Sequence, residues 1–424
     1  MINPTIALIP SGYNTNTLFT RLPANGNSDL YFSRNSTASR INSKGLVEQV
    51  GVNVPSISFD GSCSALRLEE TRTNLIGNSE LFDNNTWNNY AMVLGENEGV
   101  APDGTLTATS ISNSGSTEWG RLAKTSLGLT GKVVSSLHVK SITSDRVYLS
   151  ASGTFDGGSS VSPVAYFSFS TETWYYVQGD TGAFDEYIVE RQKNGWYRIG
   201  VVYNSITVSE INYRSVWGND NTDMYSFLMW GAQGEYGKYM TSYIPRTTGS
   251  GVRAMDDSRG SSGGMLAVPE SINSIEGVLF FEGSVPHISA QGLISINNGY
   301  TDRIQVGYHP VSGANIIRAE VHIDDGVAST GVEVAVLSAS VPDVTERNKI
   351  AVRYRKGDYS LWINGVERDH HTGNFAESSF NEGKLTRLDL GLMGSVSNAF
   401  VGDLYDVRVY SDFLEDSKIL ELTN

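Results

Sequence analysis

The sequence of 424 residues contains a single cysteine, Cys63, which excludes an internal disulfide framework and a zinc site built on cysteines. Charged residues are sparse at 18%, and 31 Lys and Arg against 46 Asp and Glu give a net charge of -15. A nucleic-acid partner requires concentrated Lys and Arg, so we expect none, and an anionic membrane is disfavoured for the same reason. An acidic surface that only keeps the protein soluble is the simpler alternative.

Long hydrophobic runs are also missing. No stretch approaches the roughly 20 apolar residues of a membrane span, so we expect no membrane insertion. The amino terminus has no basic region, and its apolar run at residues 6–9 stops at Pro10, unlike a secretory signal. We therefore expect synthesis in a cytoplasm without export by the general secretory route.

What the sequence has in abundance is 44 Gly and 21 Tyr, with 15 Phe and 7 Trp. Between turn residues lie short runs rich in branched and aromatic residues, at 133–139, 146–150, 164–169, 196–203 and 225–230. Strands of this spacing without helical periodicity predict an all-β chain of antiparallel sandwich or jelly-roll type.

The carboxyl-terminal block shows the clearest strand pattern. Ile350, Val352 and Tyr354 alternate with polar or small residues, and Asn364-Gly365 predicts a type I′ hairpin because both residues tolerate positive φ. A capping-box pattern at 412–415 predicts a final helix over 412–422.

Composition divides the chain into four parts. We expect an extended amino-terminal segment at 1–71, a β-sandwich at 72–247, a Gly- and Ser-rich linker at 248–269, and a second β-sandwich at 270–424. The first segment buries too little to stand alone, so it would be ordered by docking on its own chain or on a partner. Its arginines suit hydrogen-bonded docking, although solvated arginines are the alternative: Arg21, Arg34, Arg40, Arg67 and Arg72.

Three motif groups carry a resemblance to known families. Phe32-Ser-Arg34, Ser36 to Arg40, Gly45 to Glu48, Asn53, Pro55, Asp60-Gly61 and Leu66 to Leu75 resemble the amino-terminal segment of bacteriophage tail and fibre proteins. Thr73 to Ile76, Ala101 to Gly104, Asn194 to Arg198, Trp230 to Gln233 and Thr241 to Pro245 are similar to a carbohydrate-binding-like module. Leu361 to Gly365 and Val401 to Tyr410 resemble a concanavalin A-like, laminin-G-type sandwich. Glu70 and Ser39 depart mildly, since proline and threonine are usual there.

The resemblance implies a virion protein, of head or tail, that is made in the host cytoplasm and released by lysis. It implies attachment to other virion proteins through residues 1–71, with the arginines above as contacts. It also implies host-surface glycan as a second partner, and a homotrimer on the particle, because repetition gives weak sugar sites useful avidity. A purely structural virion component and a polysaccharide-degrading tail enzyme are the alternatives.

Glycan recognition combines aromatic rings that stack on sugar faces with nearby polar groups. Our candidate stacking residues are therefore Trp87, Tyr90, Trp119, Trp174, Tyr175 and Trp217. The alternative for each is a place in the hydrophobic core.

The sequence contains few indications of catalysis or of metal binding. Glycan cleavage requires two carboxylates roughly 5 to 10 Å apart, and no convincing pair on one strand face appears, so we predict no enzyme and no catalytic residues. We expect no organic cofactor. Calcium is a possible ligand, because oxygen donors are present at Asp220, Asp223, Asp324 and Asp325. These residues do not follow the EF-hand spacing, and the alternative is that they occur here because turns favour aspartate.

Overall fold

A computed structural model gives the fold of most of the chain. The residues it describes are 3–26, 28–83, 85–113, 120–155, 162–179, 181–215, 225–247, 251–258, 265–266, 271–298, 301–309, 315–324, 332–373, 382–391 and 399–424.

The described residues form 32 strands and one α-helix. In the first half lie β1 (Ile6–Leu8), β2 (Tyr13–Asn14), β3 (Thr17–Leu18), β4 (Leu30–Tyr31), β5 (Ala38–Ile41), β6 (Val47–Val50), β7 (Ser56–Asp60), β8 (Cys63–Leu68), β9 (Arg72–Thr73), β10 (Asn88–Tyr90), β11 (Met92–Gly99), β12 (Ala108–Asn113), β13 (Arg121–Lys124), β14 (Leu129–Ser141), β15 (Arg146–Phe155), β16 (Val164–Ser168), β17 (Thr173–Gln178), β18 (Phe184–Arg191) and β19 (Tyr197–Arg214). They are followed by β20 (Ser226–Tyr236), β21 (Val252–Arg253), β22 (Met265–Leu266), β23 (Glu276–Ser284), β24 (Gly292–Asn297), β25 (Arg303–His309), β26 (Ile316–Ile323), β27 (Val332–Ser340), β28 (Asn348–Arg355), β29 (Asp358–Ile363), β30 (Val366–Thr372), β31 (Arg387–Asp389), β32 (Gly402–Tyr410) and α1 (Asp416–Thr423). Short 3₁₀ turns cover Thr181–Ala183 and Lys193–Gly195.

The chain divides into two compact units, each discontinuous in sequence. The central unit comprises Ala38–Gln49 and Arg72–Arg253, and the terminal unit comprises Met1–Thr37, Val50–Thr71 and Ala254–Asn424. Both are built from antiparallel sheets, so the prediction of an all-β chain with two antiparallel sandwiches is confirmed.

The central unit has two layers that share one long strand. The first half of β19 pairs with β14 and β18, and its second half pairs with β15 and β13. One layer therefore runs β11-β12-β20-β14-β19-β18, and the second runs β10-β13-β19-β15-β16-β17. Alternate residues of both layers, such as Leu137, Met229 and Tyr213, meet in a buried apolar core between them.

The terminal unit packs a six-stranded sheet, β22-β31-β24-β25-β26-β27, on an eight-stranded one, β30-β29-β28-β23-β32-β8-β7 with β1 beside β32. Ring contacts cross between the sheets, since Phe281 on β23 lies 6.0 Å from Tyr308 on β25, centroid to centroid. A small three-stranded sheet, β2-β3-β4, belongs to the same unit.

Residues 1–71 do not form a segment of their own in the structure. Strands β1, β7 and β8 join the sheet of the terminal unit, where Leu66 pairs with Leu404 of β32. The β5–β6 hairpin instead belongs to the central unit, where Val47 packs with Trp196 and Trp230. The sequence left open whether residues 1–71 dock on their own chain or on a partner protein. In the structure, the described part of this segment is ordered by its own chain.

Residues 248–269, expected as a linker, contain ordered and buried positions in their described part. Strand β21 pairs with β9, and Arg253 is fully buried and donates to the Ser242 hydroxyl. Asp256 is also buried and forms an ion pair with Arg34. Gly- and Ser-rich surroundings hid these two charged residues in the sequence, and Arg34, the partner of Asp256, lies 222 residues away.

Two local predictions meet different outcomes. The Asn364-Gly365 turn has φ of 49° and 77° and joins β29 to β30, which confirms the type I′ hairpin. The terminal helix exists but begins at Asp416, and its N-cap Glu415 makes no side-chain capping bond. The predicted start at 412 is wrong because Leu414 is buried in an apolar cluster and Phe413 packs under Arg355.

No described helix has both the length and the apolar character to cross a membrane.

Candidate functional site

The structure separates the six predicted stacking residues. Trp87 is only 1% exposed, packs on Phe82 and Tyr213, and donates its indole N–H to the Leu81 carbonyl at 3.0 Å. The prediction that it stacks on sugar is therefore wrong. It is a core residue, since the turn before β10 folds inward although its sequence is polar.

Trp174 lies in β17, the strand at the edge of the second layer. Its indole stacks on Tyr187 of β18 with centroids 5.5 Å apart, and its N–H donates to the Ile188 carbonyl. Neighbouring strand residues point to opposite faces, so Tyr175 lies on the other side of β17. Trp119 and Trp217 lie outside the described residues.

Tyr90 and Tyr175 are exposed, at 43% and 41%, on the two edge strands of the second layer. The pairing register places them at the two ends of one row across the outer face of that layer. The row, which we call the tyrosine–arginine row, consists of Tyr90, Arg121, Arg214, Tyr148, Tyr166 and Tyr175.

One end of the row is aromatic. Tyr148 and Tyr166 have centroids 5.2 Å apart, and Tyr166 stacks on Tyr175 at 5.0 Å with 17° between the ring planes. The Arg146 guanidinium lies 4.9 Å from the centroid of Tyr166. Exposure increases from buried Tyr148 to Tyr175 at the sheet edge, so ring surface is offered to solvent at that edge.

The other end is cationic. The Arg121 guanidinium lies over the Tyr90 ring, 4.0 Å from its centroid, and its Nε is 3.5 Å from a Glu210 carboxylate oxygen. The register of β13 with β19, continued by one residue, places Arg121 opposite Arg214. Burial, and then the charge of Arg121, lower the pKa of Arg214 to about 10, against a smaller opposing effect of Glu210. The Arg214 guanidinium therefore carries a charge at neutral pH.

Beside the row lies a second line of polar residues on the same face. Asn212 of β19 pairs with Ser150 of β15, and both are buried. Within the described part of the chain, Asn212 Oδ1 and Ser150 Oγ have no hydrogen-bond partner. Buried polar atoms are normally satisfied, so these two oxygens are exceptions to that rule.

The six-stranded sheet of the terminal unit has a polar outer face of another kind. Glu320, His322 and Glu333 bring ligand atoms within 4.8 Å of one another, which is the geometry of a metal site. Arg318 already pairs with both carboxylates, however, 2.7 Å from Glu320 and 3.4 Å from Glu333. Glu320, His322, Glu333 and Arg318 thus form what we call the closed network, in which both carboxylates already have a partner.

Of the predicted calcium ligands, only Asp324 is described. It is exposed, and its backbone N–H donates to Asp302 at 3.0 Å. Asp220, Asp223 and Asp325 lie outside the described residues, so the calcium site stays a prediction.

The predicted attachment arginines are mostly engaged within the chain. Arg34 is buried, so it cannot contact a partner protein, and that assignment is corrected. Its guanidinium instead serves Asp256, Ser56 and three backbone carbonyls, a use for which its planar fork of donors is suited. Arg40, Arg67 and Arg72 pair with Glu48, Asp403 and Glu235, and Arg21 is exposed.

Sequence reasoning missed four members of the row: Arg121, Arg214, Tyr148 and Tyr166. A signal was present, because the predicted strands at 146–150 and 164–169 carry Arg146, Tyr148 and Tyr166 at alternate positions on their polar faces. Which strands lie beside them was not visible, so the row was not assembled.

Comparison with known proteins gives distant structural similarity only. No family model and no curated protein match the chain. The CBM40 of Ruminococcus gnavus IT-sialidase, solved with alpha2,3 sialyllactose, is 20% identical over 35% of this chain and 83% of that chain, with a TM-score of 0.30. Domain 4 of AbnA, a GH43 extracellular arabinanase from Geobacillus stearothermophilus, is 16% identical over 38% and 73%, with a TM-score of 0.29.

Domains LG4-5 of the mouse laminin alpha1 chain are 8% identical over 83% of this chain and 92% of that chain, with a TM-score of 0.25. Scores and identities this low say nothing about what this chain binds, so the argument for its function rests on its own residues.

Proposed function

We propose that this protein binds glycans through the outer face of the second layer of its central unit. The observation that carries the proposal is the tyrosine–arginine row, which sets exposed tyrosine rings and guanidinium groups across six neighbouring strands. Sugars offer an apolar ring face and many hydroxyls, so a site that combines aromatic surface with hydrogen-bonding groups suits them.

The aromatic end supplies the apolar contact. Tyr175 is held upright by stacking on Tyr166, and by the 3.3 Å contact of its hydroxyl with the Thr171 hydroxyl, so little conformational entropy is lost when a sugar packs on it. Beyond Tyr175 the sheet ends at β17, which leaves that side of the ring without a neighbouring strand among the described residues.

The biological setting we propose is a bacteriophage particle. The support is the resemblance of residues 32–75 to the amino-terminal segment of phage tail and fibre proteins. In this setting, the exposed surface of residues 1–71, including Arg21, attaches to other virion proteins, and a trimeric arrangement on the particle adds avidity to weak sites. Localisation of the protein on intact particles with labelled antibody tests this setting separately from glycan binding.

The test of glycan binding compares two single-residue variants of the full-length chain on a glycan array. Tyr175→Ala should lower affinity for any bound glycan about five-fold, the loss expected for about 1 kcal/mol of ring contact. Tyr236→Ala is the matched control, because Tyr236 on β20 is similarly exposed, at 44%, in the other layer.

Each outcome separates the hypotheses. Loss in Tyr175→Ala but not in Tyr236→Ala supports the site. Absence of binding to every glycan supports the purely structural alternative, and shortened products from a bound polymer would favour the enzyme alternative.

A further inference from the structure

We infer that the glycan held at the tyrosine–arginine row carries a carboxylate, which Arg121 binds in front of the buried Arg214. This inference rests on the proposed glycan-binding function and specifies its ligand class. It concerns uronic and sialic acids, whose shared chemistry is a planar carboxylate on a sugar ring.

The first argument is the state of Arg121. Its guanidinium carbon lies 4.0 Å from the Tyr90 ring centroid, and its one carboxylate neighbour among the described residues, Glu210, is 3.5 Å from Nε without hydrogen-bonding geometry. None of its N–H groups makes a hydrogen bond within the described part of the chain. Its donors are therefore available to a planar carboxylate, which accepts two guanidinium N–H groups in parallel.

The second argument is local charge. Arg121, Arg146 and Arg214 lie on this face, with Glu210 among them and Asp145 at the margin beside Ser168. Among the described residues, this face thus sets three guanidinium groups against two carboxylates, in a chain of net charge -15. Two guanidiniums at opposed strand positions repel each other, and an anion beside them relieves that repulsion.

The third argument is the pair Asn212 and Ser150, which is independent of the arginines. Both side chains are more than nine-tenths buried on the line next to Arg214 and Tyr148, and both have an unpartnered oxygen within the described residues. These oxygens add unsatisfied hydrogen-bonding capacity beneath the face on which Arg121 takes the acid.

The experiment uses matched ligand pairs that differ in the carboxylate. Calorimetry of the full-length chain is run with polygalacturonate and its carboxyl-reduced polymer, and with sialyllactose and lactose. We expect the acidic member of at least one pair to bind about tenfold tighter or more, which is the range for hydrogen bonds to a charged group. The two pairs distinguish a uronic from a sialic acid.

Arg121→Gln removes the guanidinium but keeps a polar side chain, and it should abolish the preference for the acidic member of the pair. Arg191→Gln is the control, since Arg191 is an exposed arginine of the same unit, paired with Glu172. It should keep the preference.

Equal affinity for acidic and neutral members, or a preference that survives in Arg121→Gln, overturns the inference and leaves glycan binding intact. Failure of every glycan to bind overturns the proposed function itself, and the inference falls with it.

Discussion

The two units carry polar outer faces that differ in how their charges are compensated. In the terminal unit, Glu320 accepts from Gln305 and His322 and pairs with Arg318, which also reaches Glu333. In the central unit, Arg121 and Arg214 lie at opposed positions and Arg121 makes no hydrogen bond among the described residues. Both faces follow the same strand alternation, so polarity alone does not distinguish them.

This contrast indicates which polar face is available to a ligand. In the closed network, the Glu320 carboxylate is already held by Gln305, His322 and Arg318, so a ligand there must replace existing contacts and gains little. The Arg121 guanidinium makes no hydrogen bond among the described residues, so a ligand there displaces only solvent.

The largest effect is expected at the buried pair of Arg34 and Asp256 in the terminal unit. Asp256→Ala leaves the Arg34 charge buried without its partner 2.9 Å away, so the free energy of unfolding should fall by about 3–5 kcal/mol. Urea denaturation measures the change. Glu421→Ala, which breaks the exposed pair with Lys418, should leave the free energy of unfolding nearly unchanged, because solvent screens that pair. Equal effects would contradict the contrast between buried and exposed pairs.

A comparable effect separates core from surface within the central unit. Trp87→Ala removes a buried ring and should lower the free energy of unfolding by about 3–5 kcal/mol. Tyr175→Ala should lower it much less, because Tyr175 is 41% exposed at the edge of the sheet. Thermal unfolding of both variants checks this, and a stable Trp87→Ala protein that binds glycan weakly would restore Trp87 as a binding residue.

The smallest effect is a pH dependence in the closed network. Burial raises the pKa of Glu320, but the hydrogen bond from His322 and the nearby positive charges outweigh it, so the pKa lies below its usual value of 4.5. The folded state then binds fewer protons than the unfolded state, and this stabilisation, present above pH 4.5, is lost as pH falls through the folded pKa.

Glu320→Gln should therefore cost up to about 1 kcal/mol at pH 7 and progressively less below pH 4.5. Hydrogen exchange of the β26 amides in the wild type and the variant measures the difference. A constant difference across this range would show that the carboxylate charge does not contribute.

The sequence predicted the strands well and their neighbours poorly. Strand β16 begins at Val164 as expected, since alternation and turn residues are local signals. Strand β19 continues to Arg214, past the expected end at residue 203. Register shifts in its pairing with β15 let the strand bend from one layer into the other, and this bend depends on tertiary structure. The candidate site shows the same division. Tyr175 was predicted from its own surroundings, but Arg121 and Arg214 become neighbours only through pairing of β13 with β19.

The pairing of β8 with β32 has a consequence for how the chain is made. Arg67 and Asp403, which form the ion pair between these strands, are 336 residues apart. At roughly 5–20 residues per second, a ribosome needs on the order of 20 to 70 s to supply β32 after β8 has emerged. Most of the central unit is encoded between β8 and β32, so its sequence is completed before β32 is made. During that time β7 and β8 remain a hairpin without their neighbouring strand β32. Premature termination anywhere before residue 402 would release a chain with that hairpin still open, and such chains should be the ones that chaperones retain.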